Sequence, residues 1–381
     1  MSEKEKSPLV PRLRFPEFRE AAEWGSEKLE QLITTVSPPS KLQSSSYRTQ
    51  GKFPIIDQSQ ELICGWTDDE SAVIDESLPL IVFGDHTCAL KFVEKPFAQG
   101  ADGIKILKAK PSISAEYLFH SLSHRPLAME DYKRHYSILK ERAVVFPDIK
   151  SGEQHKIADC LSSLDELITA ETQKLDTLKT HKKGLMQQLF PREGEAVPQL
   201  RFPEFRNAED WKEWKVGELG DVITGNTPST SKPQYYGGKY NFVSPADISE
   251  QRFIENTKTT LSDLGFEQTR KIPAGSVLFV CIGSTIGKVA QNMYSCATNQ
   301  QINSLVPSSN FSGDFIYYLL LHESNRIAEL AGNQAVPIVN KSTFSDVSVL
   351  CPREKEEQER VAGYLGTLDD LIYAQTQKST P

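Results

Sequence analysis

Three short stretches carry residue types at spacings that chemistry uses. "GSTIGKV", Gly283 to Val289, follows an apolar run and looks at first like a phosphate-cradling loop. A P-loop has four residues between its glycines and a Ser or Thr after the Lys to reach magnesium. Here three residues intervene and Val289 holds the last place, so the expectation is a glycine-pinned β turn exposing Ser284, Thr285 and Lys288. His120 and His124 stand at i and i+4 on a predicted helix, as zinc ligands do, but no Glu lies between them and a related helix further on has Tyr318 in place of His120. Packing is the expected role. "PDIK", from Pro147, reads as a strand exit, because no second acidic residue with a following Lys comes at nuclease spacing. The six cysteines form no CxxC pair, which fits reduced thiols and gives no zinc site.

The elements around these stretches are written twice. "LRFPEFR" occurs at Leu13 to Arg19 and again at Leu200 to Arg206, each copy preceded by a Pro (Pro11, Pro198) and followed by a Trp (Trp24, Trp211). A fixed period of this kind marks an internal duplication. From Glu153 to Phe190 a heptad frame runs Ile157, Leu161, Leu164, Ile168, Glu171, Leu175, Leu178, Lys182, Leu185, Leu189, apolar at all but two places. That predicts a helix of roughly 57 Å with a coiled-coil seam. The frame recurs 204 positions on as Val361, Leu365, Leu368, Ile372 and Gln375, the last matching the polar break at Glu171. This second copy stops at Pro381 without a counterpart of "LDTLKTHKKGLMQQLF", so the rod is expected to be shorter or to be completed by the N-terminal "MSEKEKSPLV". Between the landmarks, "LPLIVFGDHTCALKFV" and "GSVLFVCIGSTIGKVAQ" read as β runs with turns, each followed by one amphipathic helix. With 38% hydrophobic and 25% charged residues in 381, the chain suits two or three soluble domains. No apolar run reaches membrane length, and the charged N-terminus lacks a signal core, so a cytoplasmic location is expected.

These motifs, with "GNTPS", "SPADI", "TNQQIN" and "KFVEKPFAQGADGIKIL", resemble in order and duplication the specificity subunits of type I restriction-modification systems over nearly the whole chain. The resemblance implies an α+β fold with a pseudo-twofold internal duplication. Two α/β target recognition domains with small β-sheets would be separated by two long antiparallel coiled-coil helices. Its expected layout is an N-terminal repeat segment (1–26), recognition domain 1 (27–150), a central helix (151–192), a linker with the second repeat segment (193–213), recognition domain 2 (214–352) and a truncated distal helix (353–381). It implies that each domain reads half of an interrupted double-stranded DNA site and that the helices space the domains and dock two methyltransferase subunits. Motor-nuclease subunits would join through the complex. S-adenosylmethionine, ATP and magnesium would be held by those partners, and no cofactor, metal or catalytic residue is expected in this chain. In agreement, the strings nearest an adenine methyltransferase motif, "SPPS" at Ser37 and "SPAD" at Ser244, lack its pattern.

Charge sets a limit on that reading. The net charge is −8, and residues 35–140 hold 12 Lys and Arg against 13 Asp and Glu, residues 215–345 ten against ten. Phosphate contacts supply most non-specific affinity, so the chain alone should grip DNA weakly and read bases through a few placed donors and acceptors. In the first head the candidates are Lys41, Ser44, Ser45, Ser46, Tyr47, Arg48, Gln58, Ser59, Asp85, His86, Thr87, Arg134, His135 and Tyr136. In the second they are Thr227, Ser229, Thr230, Ser231, Lys232, Tyr235, Tyr236, Ser284, Thr285, Lys288, Asn299, Gln300, Gln301, Asn333 and Gln334. Phe15, Phe18, Gln154, Phe202, Phe205 and Gln358 are the expected partner-binding residues, with plain packing of the two Phe pairs on a helix end as the competing reading. The rival functions are a symmetric protein-binding scaffold without DNA readout and a stand-alone nuclease or NTPase; the missing motifs disfavour the second.

Overall fold

The structure, a computed structural model, describes residues 9–101, 103–129, 134–332 and 336–379. The chain divides into two compact units, residues 1–167 and 168–381. A 37-residue helix, Glu153–Leu189, runs from the first unit into the second.

The head of the first unit is an antiparallel sheet in the order Ile33–Val36, Ile104–Ala109, Leu80–Gly84, Leu90–Val93. Leu80–Gly84, "LIVFG", is buried along its whole length. A strand covered on both faces reads as a continuous apolar run, and its alternate side chains serve different cores. Ile81 and Phe83 pack with Tyr117, Leu118 and Leu122 of the helix Ala115–His124. Leu80 and Val82 pack on the other face with Ile56, Ile74 and Phe97. A smaller three-stranded sheet pairs Phe53–Ile56 antiparallel with Gly65–Thr67 and parallel with Ala98–Gln99.

The second unit repeats this topology. Its main sheet runs Gly220–Thr224, Ile302–Pro307, Val277–Val280, Val289–Asn292, with a fifth short strand, Phe253–Ile254, added parallel at the edge. Its small sheet pairs Tyr236–Val243 antiparallel with Thr259–Leu261 and parallel with Ala297–Thr298. Val277 and Phe279 face one core, Leu278 and Val280 the other. The head helices, Ala115–His124 and Gly313–His322, start alike, with Ser114 and Ser312 accepting from the backbone N–H three residues on. Both predicted hairpins and both helices stand where the sequence placed them.

Within the second unit the long helix meets Lys355–Ser379, and the two run antiparallel. The two polar breaks in the heptad frame make the cross-helix bonds. Lys182 Nζ donates to Asp369 Oδ1 at 2.5 Å, and Tyr318 OH donates to the other carboxylate oxygen at 2.5 Å. Gln375 Nε2 donates to Glu171 O at 3.0 Å and also to the Glu171 carboxylate, so two residues equivalent by the duplication meet each other. Leu185, Leu189, Val361, Leu365 and Leu368 are buried in the core of the second head. Leu175, Leu178 and Ile372 are half-buried.

The first part of the expected seam is a correction. Ile157 packs against the first head's core, but Leu161, Leu164 and Ile168 are 39%, 50% and 63% exposed. A heptad stripe is buried only where a second helix lies alongside it, and the cross-helix bonds described above run from Lys182 to Glu171. Any completion of the rod by Met1 to Pro8 lies outside the described residues. Among the described residues no helix is long and apolar enough to cross a membrane.

Candidate nucleic-acid interface

The repeated heptapeptide has a definite job in each unit. Arg14 donates from Nε and Nη2 to the two carboxylate oxygens of Glu153, both at 2.7 Å, and to the carbonyls of Ala21 and Ala22. Arg201 does the same to Glu357, at 2.8 Å twice, and to the carbonyls of Ala208 and Glu209. Glu153 and Glu357 stand at the starts of the long helices and are buried, so each copy clasps the chain onto a helix start through a planar, two-pronged ion pair. Phe15 lies under Lys156, and Phe202 packs on Tyr364 under Arg360, which places these rings on the first turns of the helices. Phe18 and Phe205 are half-buried.

Gln154 and Gln358 correct an expectation. Both are fully buried. Gln154 accepts from Ser114 N and donates to Pro147 O; Gln358 accepts from Ser312 N and donates to Pro352 O. Their amides dock the head helix and the strand exit onto the long helix, so neither presents a polar group to a partner. The clasp itself was legible in part: an Arg in each heptapeptide and a Glu before each Gln.

In the first head several candidates from distant stretches come together beside the end of Leu80–Gly84. Thr87 Oγ1 donates to Gln58 O at 2.5 Å. Asp85 accepts from Tyr136 N through Oδ1 at 2.8 Å and from His135 N through its carbonyl at 2.9 Å. Asp85 and His135 are 6% and 1% exposed, which removes both as DNA-reading groups; they anchor the 134–136 segment to the turn. Tyr47 is half-buried with its hydroxyl accepting from Ala101 N, and Arg48 pairs with Asp68 at the surface. Lys41, Ser44, Ser45, Ser46 and Arg134 are exposed, while Ser59, His86, Thr87 and Tyr136 are half-buried.

The second head gathers its candidates at the end of Gly220–Thr224. Gly225 lies so close to the small sheet that an added Cβ would stand 2.2 Å from Thr298 O, so only glycine fits. The turn it opens bonds both neighbours. Thr227 Oγ1 donates to Gln300 Oε1 at 2.8 Å, and Asn226 bridges to Gln268 O and Arg270 N. Asn299 and Gln301 bond each other and hold the "TNQQ" loop. Ser229, Thr230, Ser231 and Lys232 are exposed, with Lys232 Nζ 3.2 Å from Tyr235 OH; Tyr236 donates inward to Pro228 O. Ser284 is exposed and Thr285 half-buried, in a turn whose Gly283 and Gly287 both have φ near +95°, the left-handed region that favours glycine. The glycines therefore serve a turn, and Lys288 Nζ donates to Ile248 O at 2.9 Å. Asn333 and Gln334 lie outside the described residues.

His120 packs as expected: Nε2 is 3.0 Å from Ser162 Oγ on the long helix. Among the described residues no group of three or more His, Cys, Asp and Glu could hold a metal ion.

The sequence profile of the type I restriction modification DNA specificity domain matches residues 208–380. This chain is therefore similar to the type I specificity subunits. Its similarity to the HindI specificity subunit of Haemophilus influenzae is 35% identity over 150 residues, 38% of this chain and 32% of that one. To the MjaIX specificity subunit of Methanocaldococcus jannaschii it is 28% over 170 residues, 43% and 39% of the two chains. The aligned stretches thus span about a third of these specificity subunits. A longer alignment, 80% of this chain and 75% of the other, links it at 22% identity to the MjaVIII subunit of the same archaeon. In fold it is similar to the specificity subunit from M. genitalium, with a TM-score of 0.68 at 14% identity over 98% and 94% of the two chains. A second solved chain, from work on assembly and conformational transition of the type I system, gives 0.53 at 16% identity over 97% and 95%.

Proposed function

We propose that this chain is the DNA-reading subunit of a type I restriction-modification complex. Each head meets one half of a bipartite, interrupted double-stranded site, and the paired long helices set the distance between the halves. The observation that carries this reading is the combination of a twice-used frame with unlike loops. Sheet order, head-helix caps and the Arg–Glu clasp recur in both units, whereas the loops that gather exposed polar groups differ: Ser44 to Arg48 in one, Thr227 to Lys232 and Gln300 in the other. A repeated frame suits identical partners, and unlike loops suit unlike half-sites.

The partners are two methyltransferase subunits, met through the helix starts and the half-buried rings beside them, with motor-nuclease subunits joined through the complex. S-adenosylmethionine, ATP and magnesium are bound in those subunits, and this chain contributes recognition without catalysis. Because both heads are near neutral in charge, the electrostatic hold on phosphates comes largely from the partners.

Mapping methylated adenines in DNA from cells carrying this chain and its methyltransferase tests the reading. The expected motif has two defined halves around an unspecified gap. Replacing residues 27–150 with another head should change one half alone; an unchanged motif would favour the protein scaffold.

A further inference from the structure

The second head, residues 214–352, contains three arginines. Arg252 is committed to Asp314, and Arg326 to Glu323 at 2.5 Å. Arg270 is exposed and has no acidic partner among the described residues, although its neighbour Lys271 pairs with Glu267. It is nevertheless held in place. Its backbone N–H donates to Asn226 Oδ1 at 2.8 Å, and its Nη1 donates to Thr224 O at 2.7 Å. One of the three guanidinium nitrogens is thereby fixed, and the Nε and Nη2 edge remains an uncommitted planar fork.

The same turn holds a second reader. Thr227 donates to Gln300 Oε1, leaving the exposed Gln300 amide with its two N–H donors and one acceptor lone pair. The two attachment points, Thr224 and Thr227, are three residues apart. That is at most about 10 Å of chain, or about three base steps at roughly 3.4 Å each. Gly225 presses this turn onto Thr298, so the groups that hold the two side chains, Thr224 O and Thr227 Oγ1, sit on a turn that cannot swing freely.

We propose that Arg270 is a base-reading residue of the second head and takes a guanine, through its O6 and N7, in the half-site that this head meets. The assignment rests on the DNA-reading function proposed above. A phosphate contact needs only a positive charge within reach, which a Lys on a free stem supplies. A two-pronged guanine contact needs a fork whose plane is set beforehand. An arginine without an acidic partner among the described residues, and tied by backbone and side chain to a glycine-pinned turn, meets that need.

The test is adenine-methylation mapping with the methyltransferase complex containing wild-type chain, Arg270→Ala or Arg270→Lys. Each variant's assembly is checked by co-purification. The expected result for both variants is an unchanged first half-site and a second half-site in which one G·C position loses about tenfold to a hundredfold of its discrimination. Arg270→Lys keeps the charge but not the fork, so it should lose selectivity too. Equal weakening at every sequence, with full recovery in Arg270→Lys, would make the residue a phosphate contact and overturn the proposal. So would an unaltered motif in both variants. A wild-type complex that shows no bipartite motif would instead sink the functional reading itself.

Discussion

The clasp between Arg201 and Glu357 should be a principal tie of the second unit, and its removal gives a sharp test. Glu357 is 2% exposed and the Arg201 side chain 7%. The carboxylate accepts two guanidinium bonds and one from Trp211 Nε1 at 3.1 Å, while Arg201 also satisfies the carbonyls of Ala208 and Glu209. Arg201→Ala leaves a buried carboxylate with one indole N–H and two carbonyls without their donor. Breaking a fully buried pair costs about 3 to 5 kcal/mol. Glu357 keeps its bond from Trp211 and the Arg201 side chain retains a small exposed fraction, so the lower end of that range, about 3 kcal/mol, is expected. Urea unfolding followed by tryptophan fluorescence reads this directly. The double variant Arg201→Ala with Glu357→Ala should cost less than the two single changes added together, because no orphan charge remains. A single-variant loss under about 0.5 kcal/mol would place the pair with ordinary surface ion pairs and refute the reasoning. Strict additivity would do the same.

Other consequences follow from the same geometry. Asp369→Asn removes the charge that Lys182 and Tyr318 share, so the second unit should lose about 1 to 2 kcal/mol, measured by the same unfolding. His322 stacks on Phe190 with ring centroids 4.9 Å apart, and burial holds its pKa below the ordinary value. Its neutral form stabilises the fold above the unfolded pKa of about 6.5, and that contribution is lost as pH falls through the lower folded value. Thermal midpoints should therefore fall between pH 7.5 and pH 5.5, and His322→Phe should flatten the dependence; an unchanged slope would remove His322 as its source. Burial pushes the Cys281 and Cys296 thiols up to about 12 and raises that of Cys351 as well. Exposed Cys160 should label first with a thiol reagent in the native protein, and these three only on unfolding; fast labelling of any of the three would show the core open.

Much of the frame was legible because it is local and repeated. The apolar runs "LPLIV" and "GSVLFV" announced buried strands, and the heptad steps announced long helices, since the period of buried side chains is written directly into neighbouring positions. The polar breaks at Glu171 and Lys182 were visible too, but their partners Gln375 and Asp369 depend on antiparallel register. Seam residues Leu161, Leu164 and Ile168 were misjudged because a stripe marks what a helix can bury, and only the position of a second helix decides what it does bury.

The sequence by itself determined that this chain is built twice on one plan, with unlike loops on like supports. Tertiary structure alone decided how those loops are used. Arg14 finds Glu153 across 139 residues and Arg201 finds Glu357 across 156, and the 224–227 turn joins Arg270 to Gln300 through strand order that no local pattern encodes. Asp85, His135, Gln154 and Gln358 looked like surface chemistry as letters and proved to be interior anchors, because burial is a property of the surroundings that a polar side chain's own identity does not carry.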